Sequence, residues 1–462
     1  MKGFVPTPPA TVELMVGKLF QEKGPAEKSR LLDPGCGKGA FIEGVIQWCV
    51  RQRIPLPRII GIDSDPRHIA DAREKFSKYS SIKLILGDFL TPDDLGPFDF
   101  IIGNPPYVPI TDLSHGEKSR YRNIYQTAQG RFDLYLLFFE HALKHLGPDG
   151  RLVFITPEKY LYTDTAASLR RLLSHFVVQE IHLQREDTFR DLVTYPTITT
   201  VTHCVRGGET RAILRDGTIR SVNLPGHGTS WWPTIHQHGD GQGRFYEIRL
   251  GDICRRLSCG VATGADAVFV RKTVELPAAI RKYAYPTIAG RELVPDSVIL
   301  PTNKYSMLVP YSRDGHLLKE HQLGALKQYL EQKAVRDRLL QRTCVSRKPW
   351  YAFHENPPLK ELLRPKILCK DITPVVKFWA DRTGLLVPRH SVYYIVPEDP
   401  AKIEGILAYL NSNTARAWLF ANCQRAANGF LRLQSHVLKR LPVPPELAPP
   451  GTQLRGLAVE VA

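Results

Sequence analysis

The chain has 462 residues, 43% of them hydrophobic, and a formal charge of +16; this suits a folded protein of two or three domains and excludes a disordered chain. No apolar run reaches the roughly 18–20 residues of a bilayer span, and Met1-Lys-Gly-Phe-Val-Pro-Thr-Pro-Pro lacks a signal-peptide apolar core, so no membrane association and a cytoplasmic location are expected. The eight cysteines form no Cys-x-x-Cys pair, and no histidines follow Cys254 and Cys259 at zinc-finger spacing; reduced thiols and no structural zinc are expected.

Short apolar runs alternate with helix-like segments from residue 10 to about 205. Leu31-Leu32, Arg58–Ile62, Ile82–Leu86, Phe98–Ile102 and Arg151–Ile155 read as buried strands, and 40–52, 66–78, 131–146 and 164–175 have helical spacing. That alternation predicts an open, largely parallel α/β sheet with helices on both faces. Ligands of such sheets bind beyond the carboxyl ends of the strands, so the residues after each strand matter most.

After the first strand comes Asp33-Pro-Gly35-Cys-Gly37-Lys-Gly39, a turn whose glycines allow close backbone approach. It lacks the Gly-Lys-Ser/Thr ending of a Walker loop. After the second strand comes Asp63, placed to hold the ribose hydroxyls of an adenosine-containing cofactor. After the third come Asp88 and Phe89, an acceptor for an exocyclic amine and an aromatic face for its ring. Each acid also has a structural reading, as a helix or turn cap.

After the fourth strand comes Asn104-Pro105-Pro106-Tyr107. The lone pair of an aromatic amine such as adenine N6 is delocalised into its ring. An amide oxygen and a proline carbonyl can accept its two hydrogens and draw the nitrogen toward a reactive geometry. The prolines have fixed φ and no N–H, so the acceptors are stiffly held, and Tyr107 offers a face on which an extruded base stacks. The same letters also suit a proline-rich turn.

In this order the motifs resemble the gamma-class (TaqI-like) DNA N6-adenine methyltransferases of restriction-modification systems. Phe4-Val-Pro-Thr7-Pro8 resembles their N-terminal motif closing over the methionine of S-adenosylmethionine. Asp33 to Gly39 is similar to the methionine loop, with Gly35 and Gly37, Asp63 to the ribose acid, and Asp88-Phe89 to the adenine pair. Asn104, Pro105, Pro106 and Tyr107 match the catalytic motif, with Asn104 also beside the cofactor. Arg131-Phe-Asp133-Leu-Tyr135 and Gly150–Pro157 match later blocks, although helix-start and packing roles are preferred for Asp133 and Tyr135. Phe189-Arg-Asp-Leu-Val-Thr-Tyr195 resembles the segment that supplies the second aromatic wall around the flipped adenine, with Phe189 preferred over Tyr195. The resemblance implies a Rossmann-like S-adenosylmethionine-dependent methyltransferase sheet with a C-terminal α+β DNA target-recognition domain.

Lys118, Arg120, Arg122 and Arg131, interleaved with Tyr121 and Tyr125, suit a mobile lid contacting DNA backbone or a solvated loop. Residues 206–244, rich in Gly and His, read as an exposed connection with local strands, dividing a catalytic domain (1–240) from a recognition domain (241–462). Residues 245–446 hold 31 Lys and Arg against 18 Asp and Glu, whereas the remainder hold 31 against 28. So uneven a charge points to a polyanion partner for the second half, double-stranded DNA in particular. There Gly260–Phe269, Gly290-Arg291, Arg364–Leu368 and Tyr409–Asn413 resemble target-recognition blocks, and Arg342, Arg347, Lys348, Trp350 and Tyr351 are candidate phosphate or base contacts. The expectation is a monomeric, metal-independent, nucleoid-associated prokaryotic enzyme, with a separate cognate restriction endonuclease as a further partner. Cytosine-N4, glutamine or RNA methylation and a catalytically inactive DNA-binding subunit remain open as alternatives.

Overall fold

The computed structural model describes residues 5–91, 95–189, 195–203, 208–236, 246–295, 297, 300–301, 304–426 and 430–449. Its contacts divide the chain into two units, Met1–Gln237 and His238–Ala462. Phe4 of the N-terminal motif and residues 190–194 of the second aromatic segment lie outside the described residues.

The first unit follows the expected alternation. Helix α1 (Pro9–Leu19) precedes β1 (Arg30–Pro34), α2 (Ala40–Gln52), β2 (Arg58–Asp63), α3 (Pro66–Lys75), β3 (Ile82–Leu86) and β4 (Phe98–Gly103). Then come α4 (His115–Ile124), α5 (Leu134–Lys144), β5 (Leu146–Pro157), α6 (Ala167–Leu173), β6 (Val177–Leu183), β7 (Pro196–Thr202), β8 (Thr210–Ile213), β9 (Ile219–Val222) and α7 (Trp232–His236). One nine-stranded sheet runs in the order β3-β2-β1-β4-β5-β7-β6-β8-β9. From β3 to β5 every pairing is parallel, with Leu31 opposite Ile59 and Phe100, and Phe100 opposite Arg151. β7 then runs antiparallel to both β5 and β6. Strand order reverses between β1 and β4, the crevice where open α/β sheets bind ligands.

Helices cover the sheet through side chains at helical spacing. Phe41, Ile42, Val45 and Cys49 of α2 are buried with Val12, Met15, Val16 and Leu19 of α1, in one apolar cluster with Leu31, Ile59 and Ile102. Gly44 permits the approach: a Cβ there would stand 2.5 Å from Val12. The second cluster is built on α5, whose Leu136, Leu137, Phe139 and Ala142 pack with Leu32, Leu152 and Phe154.

Within 208–236 the expected connection carries its local strands, but they join the main sheet. β8 pairs parallel with β6 and antiparallel with β9, extending the main sheet. Thr210 and Ala212 are buried while Arg211 is exposed, the period-2 pattern of a strand with one covered face. Trp231 and Trp232 are almost wholly buried. Buried Arg170 donates to the carbonyls of Gly228, Thr229, Tyr160 and Thr163, and burial lowers its pKa to about 10. The Gly and His content masked a segment held by its indoles.

The second unit is α+β. Its strands are β10 (Cys254–Cys259), β11 (Val270–Lys272), β12 (Ala284–Ile288), β13 (Tyr305–Leu308), β14 (Lys366–Lys370), β15 (Ile372–Thr373), β16 (Phe378–Asp381), β17 (Val387–Pro388), β18 (Val392–Pro397), β19 (Gln424–Arg425) and β20 (Leu431–Arg432). They form sheets β10-β18-β14-β16, β11-β13-β12-β17 and β15-β20-β19. Short helices include Ala325–Leu330, Lys333–Leu340, Ile403–Leu410 and Asn413–Asn422. Buried Lys366 meets Asp381 at 2.6 Å, and Asp381 also accepts from Thr383 and the Gly384 and Leu386 N–H groups. Asn411 pairs both ways with the backbone of Phe378, so the Tyr409–Asn413 block fixes a strand edge. Gly260 is equally structural, because a Cβ there would lie 2.4 Å from the Arg389 carbonyl.

Candidate active site

The sheet order brings several of the strand-end residues around a cavity of about 800 Å³ in the first unit, lined by Thr7, Gly35, Asp63, Asp88, Phe89, Asn104, Pro106 and others; Asp33, Gly37, Pro105, Tyr107 and Phe189 do not line it. The loop after β1 supplies one wall. Gly35, Gly37 and Gly39 all take positive φ (73°, 53° and 81°), a run that side-chain-bearing residues resist. Gly35 and Cys36 donate their N–H groups to the Ile62 carbonyl, tying this loop to the end of β2. Asp63 completes the tie: one oxygen accepts from Gly37 N–H at 2.9 Å and the other from Asp65 N–H at 2.8 Å. The capping role weighed for Asp63 falls to Asp65, which accepts from Arg67 N–H at the start of α3.

Asp33 is fully buried, and neither carboxylate oxygen has a hydrogen-bond partner among the described residues. Burial first, and then the charge of Asp63, raise its pKa well above the ordinary carboxylate value. A group so placed strongly favours its neutral form unless a cation or donor meets it. No helix-capping bond explains its presence.

Asp88 accepts from Leu90 N–H at 3.0 Å through one oxygen and from Arg120 at 2.7 Å through the other. Phe89 is buried against Phe138, with ring centroids 5.2 Å apart. Arg120 thus faces Asp88 instead of serving among the loop cations expected for DNA backbone. Its helix is also no loose lid. Ser114 and Glu117 form a capping box at the start of α4, Tyr121 and Tyr125 are buried, and Glu140 accepts from Gln126 N–H, Thr127 N–H and Thr127 Oγ1. Residue type alone shows the polar face of α4 but not that Asp88, after β3, meets Arg120 there, or that Glu140 of α5 holds the turn that follows the helix.

At the end of β4, Asn104 Nδ2 donates to the Val5 carbonyl at 3.0 Å and to Thr7 Oγ1 at 3.1 Å. A carbonyl only accepts, so this contact fixes which end of the amide is which. Asn104 Oδ1 is consequently left as a buried acceptor without a partner among the described residues. Pro106's carbonyl accepts from Val108 N–H; Pro105's accepts no hydrogen bond among the described residues. The Tyr107 hydroxyl reaches the Ile155 carbonyl only at 3.5 Å, and burial raises its pKa.

Phe189 stands beside Tyr107, centroids 6.3 Å apart, but at 83° to it. It is buried among Ile155 and Ile198. The two rings therefore meet edge to face, and a base between them requires one ring to turn. Tyr195 stacks elsewhere, under the guanidinium of Arg215 at 5.0 Å. Tyr135 is buried with its ring 6.5 Å from Tyr107, and Asp133 precedes α5 without capping it.

In the second unit, four of the five candidate contacts have internal partners. Arg342 donates to the Thr263 and Trp350 carbonyls, Lys348 to the His354 carbonyl, Trp350 to Glu320 and Tyr351 to the Leu318 carbonyl. Arg347 is exposed.

Residues 57–189 match the family described as Eco57I restriction-modification methylase, and residues 285–443 the TaqI-like C-terminal specificity domain. The chain is 26% identical to the Type II methyltransferase M.PaeR7I of Pseudomonas aeruginosa, covering 92% of this chain and 82% of that protein. It is 25% identical to M.XhoI of Xanthomonas vasicola over 78% and 71%. Among solved structures, the Type IIL restriction-modification enzyme MmeI in complex with DNA aligns at a TM-score of 0.61 and 13% identity, covering 94% of this chain and 62% of that one. That likeness is one of fold. The chain joins an Eco57I-type restriction-modification methylase region to a TaqI-like C-terminal specificity region, and it resembles the TaqI-like restriction-modification methyltransferases across both.

Proposed function

We propose that this protein is a site-specific DNA methyltransferase of a restriction-modification system, transferring a methyl group from S-adenosylmethionine to N6 of an adenine turned out of duplex DNA. The observation that carries the reading is the fixed amide of Asn104, whose hydrogens are engaged and whose oxygen waits as a buried acceptor beside the strand-end acids. The residues fit the cofactor: the glycine loop gives close backbone approach, Asp63 and Asp88 supply acceptors, and Phe89 an apolar face. When bound, S-adenosylmethionine supplies an activated sulfonium methyl group.

The chain's own residues then position and polarise. Asn104 Oδ1 and the Pro105 carbonyl accept the two hydrogens of the amine, localising its lone pair on nitrogen. The stiffness of Pro105-Pro106 keeps these acceptors in place, so little reorganisation is needed at the moment of reaction. Tyr107 supplies one face for the base, and Phe189, after rotation, the other. Thr7 and Val5 hold the Asn104 amide and so set the direction of its oxygen. The basic second half provides the electrostatic attraction for DNA backbone.

Expression in a methylation-free host, followed by modified-base sequencing of the genome, tests this. N6-methyladenine at one short sequence is expected. N4-methylcytosine at one sequence would transfer the same chemistry to cytosine, and an unmodified genome with active methylation of protein or RNA would remove DNA as the substrate.

A further inference from the structure

The segment that follows the Asn104–Tyr107 loop returns to the other end of the cavity. Val108, Leu113, Glu117 and Tyr121 all line it, and α4 carries Arg120 onto Asp88. Arg120 Nη2 donates to Asp88 Oδ2 at 2.7 Å, and the Tyr121 hydroxyl approaches the same oxygen at 3.5 Å. The opposite oxygen accepts from Leu90 N–H at 3.0 Å. The carboxylate is therefore gripped at both oxygens, and only its remaining lone pairs are left for a ligand.

α4 is built to hold this grip. Beyond its capping box, the Tyr125 hydroxyl donates to the Leu90 carbonyl at 2.9 Å, tying the helix's end to the segment that bears Asp88. The side chains of Arg120 and Asp88 are 43% and 36% exposed, and pairs so open to water contribute little to folding. The consequence of this pair is local, at the cavity.

We infer that Arg120 is a positioning residue for the adenine of the cofactor, acting through Asp88, and that α4 closes the adenosine end of the cavity. This rests on the assignment of Asp88 to the cofactor's exocyclic amine. A carboxylate fixed by a guanidinium presents its free lone pairs in one direction; without Arg120 it rotates, and the amine meets an acceptor that must first be ordered. Because only residues 108–114 separate α4 from the Asn104–Tyr107 loop, this stretch of chain connects the target-base loop with the cofactor's base subsite.

The test compares S-adenosylhomocysteine with S-inosylhomocysteine, which lacks the exocyclic amine, by calorimetry on the full chain. Wild type is expected to prefer the adenosyl ligand. Arg120→Ala should weaken adenosyl binding about tenfold, the scale of one charge-assisted hydrogen bond, weaken inosyl binding much less, and raise KM for the methyl donor with little change in kcat. Arg120→Lys should recover part of the loss, and Arg120→Ala should add nothing in an Asp88→Asn background. Equal losses on both ligands, adenosyl affinity within twofold of wild type, or a fall in kcat alone would overturn the inference while leaving the proposed function standing. Failure of the wild type to bind either ligand would remove the functional reading itself, and the role of Arg120 with it.

Discussion

The side-chain amide of Asn104 is anchored to the backbone carbonyl of Val5, 99 residues earlier, by a 3.0 Å hydrogen bond. With Thr7 Oγ1 accepting the second hydrogen, the amide oxygen has one orientation and no partner among the described residues. Asn104→Ala should therefore retain affinity for cofactor and DNA within a few-fold while methyl transfer falls by about 10²–10³, the scale of one lost polarising group. Single-turnover transfer of a labelled methyl group measures this, and full retained activity would remove Asn104 from the chemistry.

Thr7 holds that amide at one remove from the reacting atoms. Thr7→Val keeps the shape and deletes one acceptor, so it should lower kcat by roughly tenfold, about one hydrogen bond's worth of positioning, with KM for DNA unchanged. A change confined to KM would argue that Thr7 binds substrate instead of aligning Asn104.

Asp33 gives a prediction with a pH sign. Its carboxyl is raised above the ordinary value by burial and by Asp63. The folded state therefore binds this proton more tightly than the unfolded state, and stability falls as pH rises above the unfolded carboxylate value near 3.8. Asp33→Asn removes that penalty. At pH 7 the ligand-free variant should melt a few degrees higher than wild type, the difference shrinking toward pH 4, while its affinity for S-adenosylhomocysteine declines. Thermal scans across that range, with and without ligand, check both parts; a variant less stable than wild type at pH 7 would contradict the assignment.

Phe189 and Tyr195 separate on contact geometry. Phe189 lies against Tyr107, whereas Tyr195 is under Arg215. Phe189→Ala should cost about 1–3 kcal/mol of base stacking, seen as reduced 2-aminopurine fluorescence change and kcat/KM on a target-substituted duplex. Tyr195→Ala should leave that signal largely intact, and the reverse ranking would assign the second wall to Tyr195.

Glu140 is 2% exposed and holds Gln126 and Thr127, so Glu140→Ala strands two N–H groups and a hydroxyl. A loss of about 2–4 kcal/mol is expected from such unsatisfied donors, with faster hydrogen exchange concentrated in 115–128. Exchange unchanged in that segment would show that α4 is secured by its tyrosines alone.

The strand ends were legible because each carries a residue type the backbone demands there. Glycines stand where φ is positive, prolines where the acceptor loop must be stiff, and acids stand at the ends of β1 and β2 and just after β3. Continuous apolar runs marked β1 to β5, of which β1, β4 and most of β5 are buried on both faces, and helical spacing marked α2, α3 and α5. The same local logic failed where the partner lies far along the chain. Arg120 and its neighbours read as solvent-facing cations, yet Arg120 meets Asp88 across 32 residues, and Arg342, Trp350 and Tyr351 reach Thr263, Glu320 and Leu318.

The sequence by itself determined the order of the motifs, the α/β alternation and the uneven charge, all properties of residue type and spacing. The folded arrangement alone sets which way the Asn104 amide points, that Asp33 lies buried with no donor among the described residues, that Phe189 meets Tyr107 edge-on, and that α4 reaches back to Asp88. Hydrogen-bond direction and burial depend on atoms brought together from distant strands, and no local pattern encodes them.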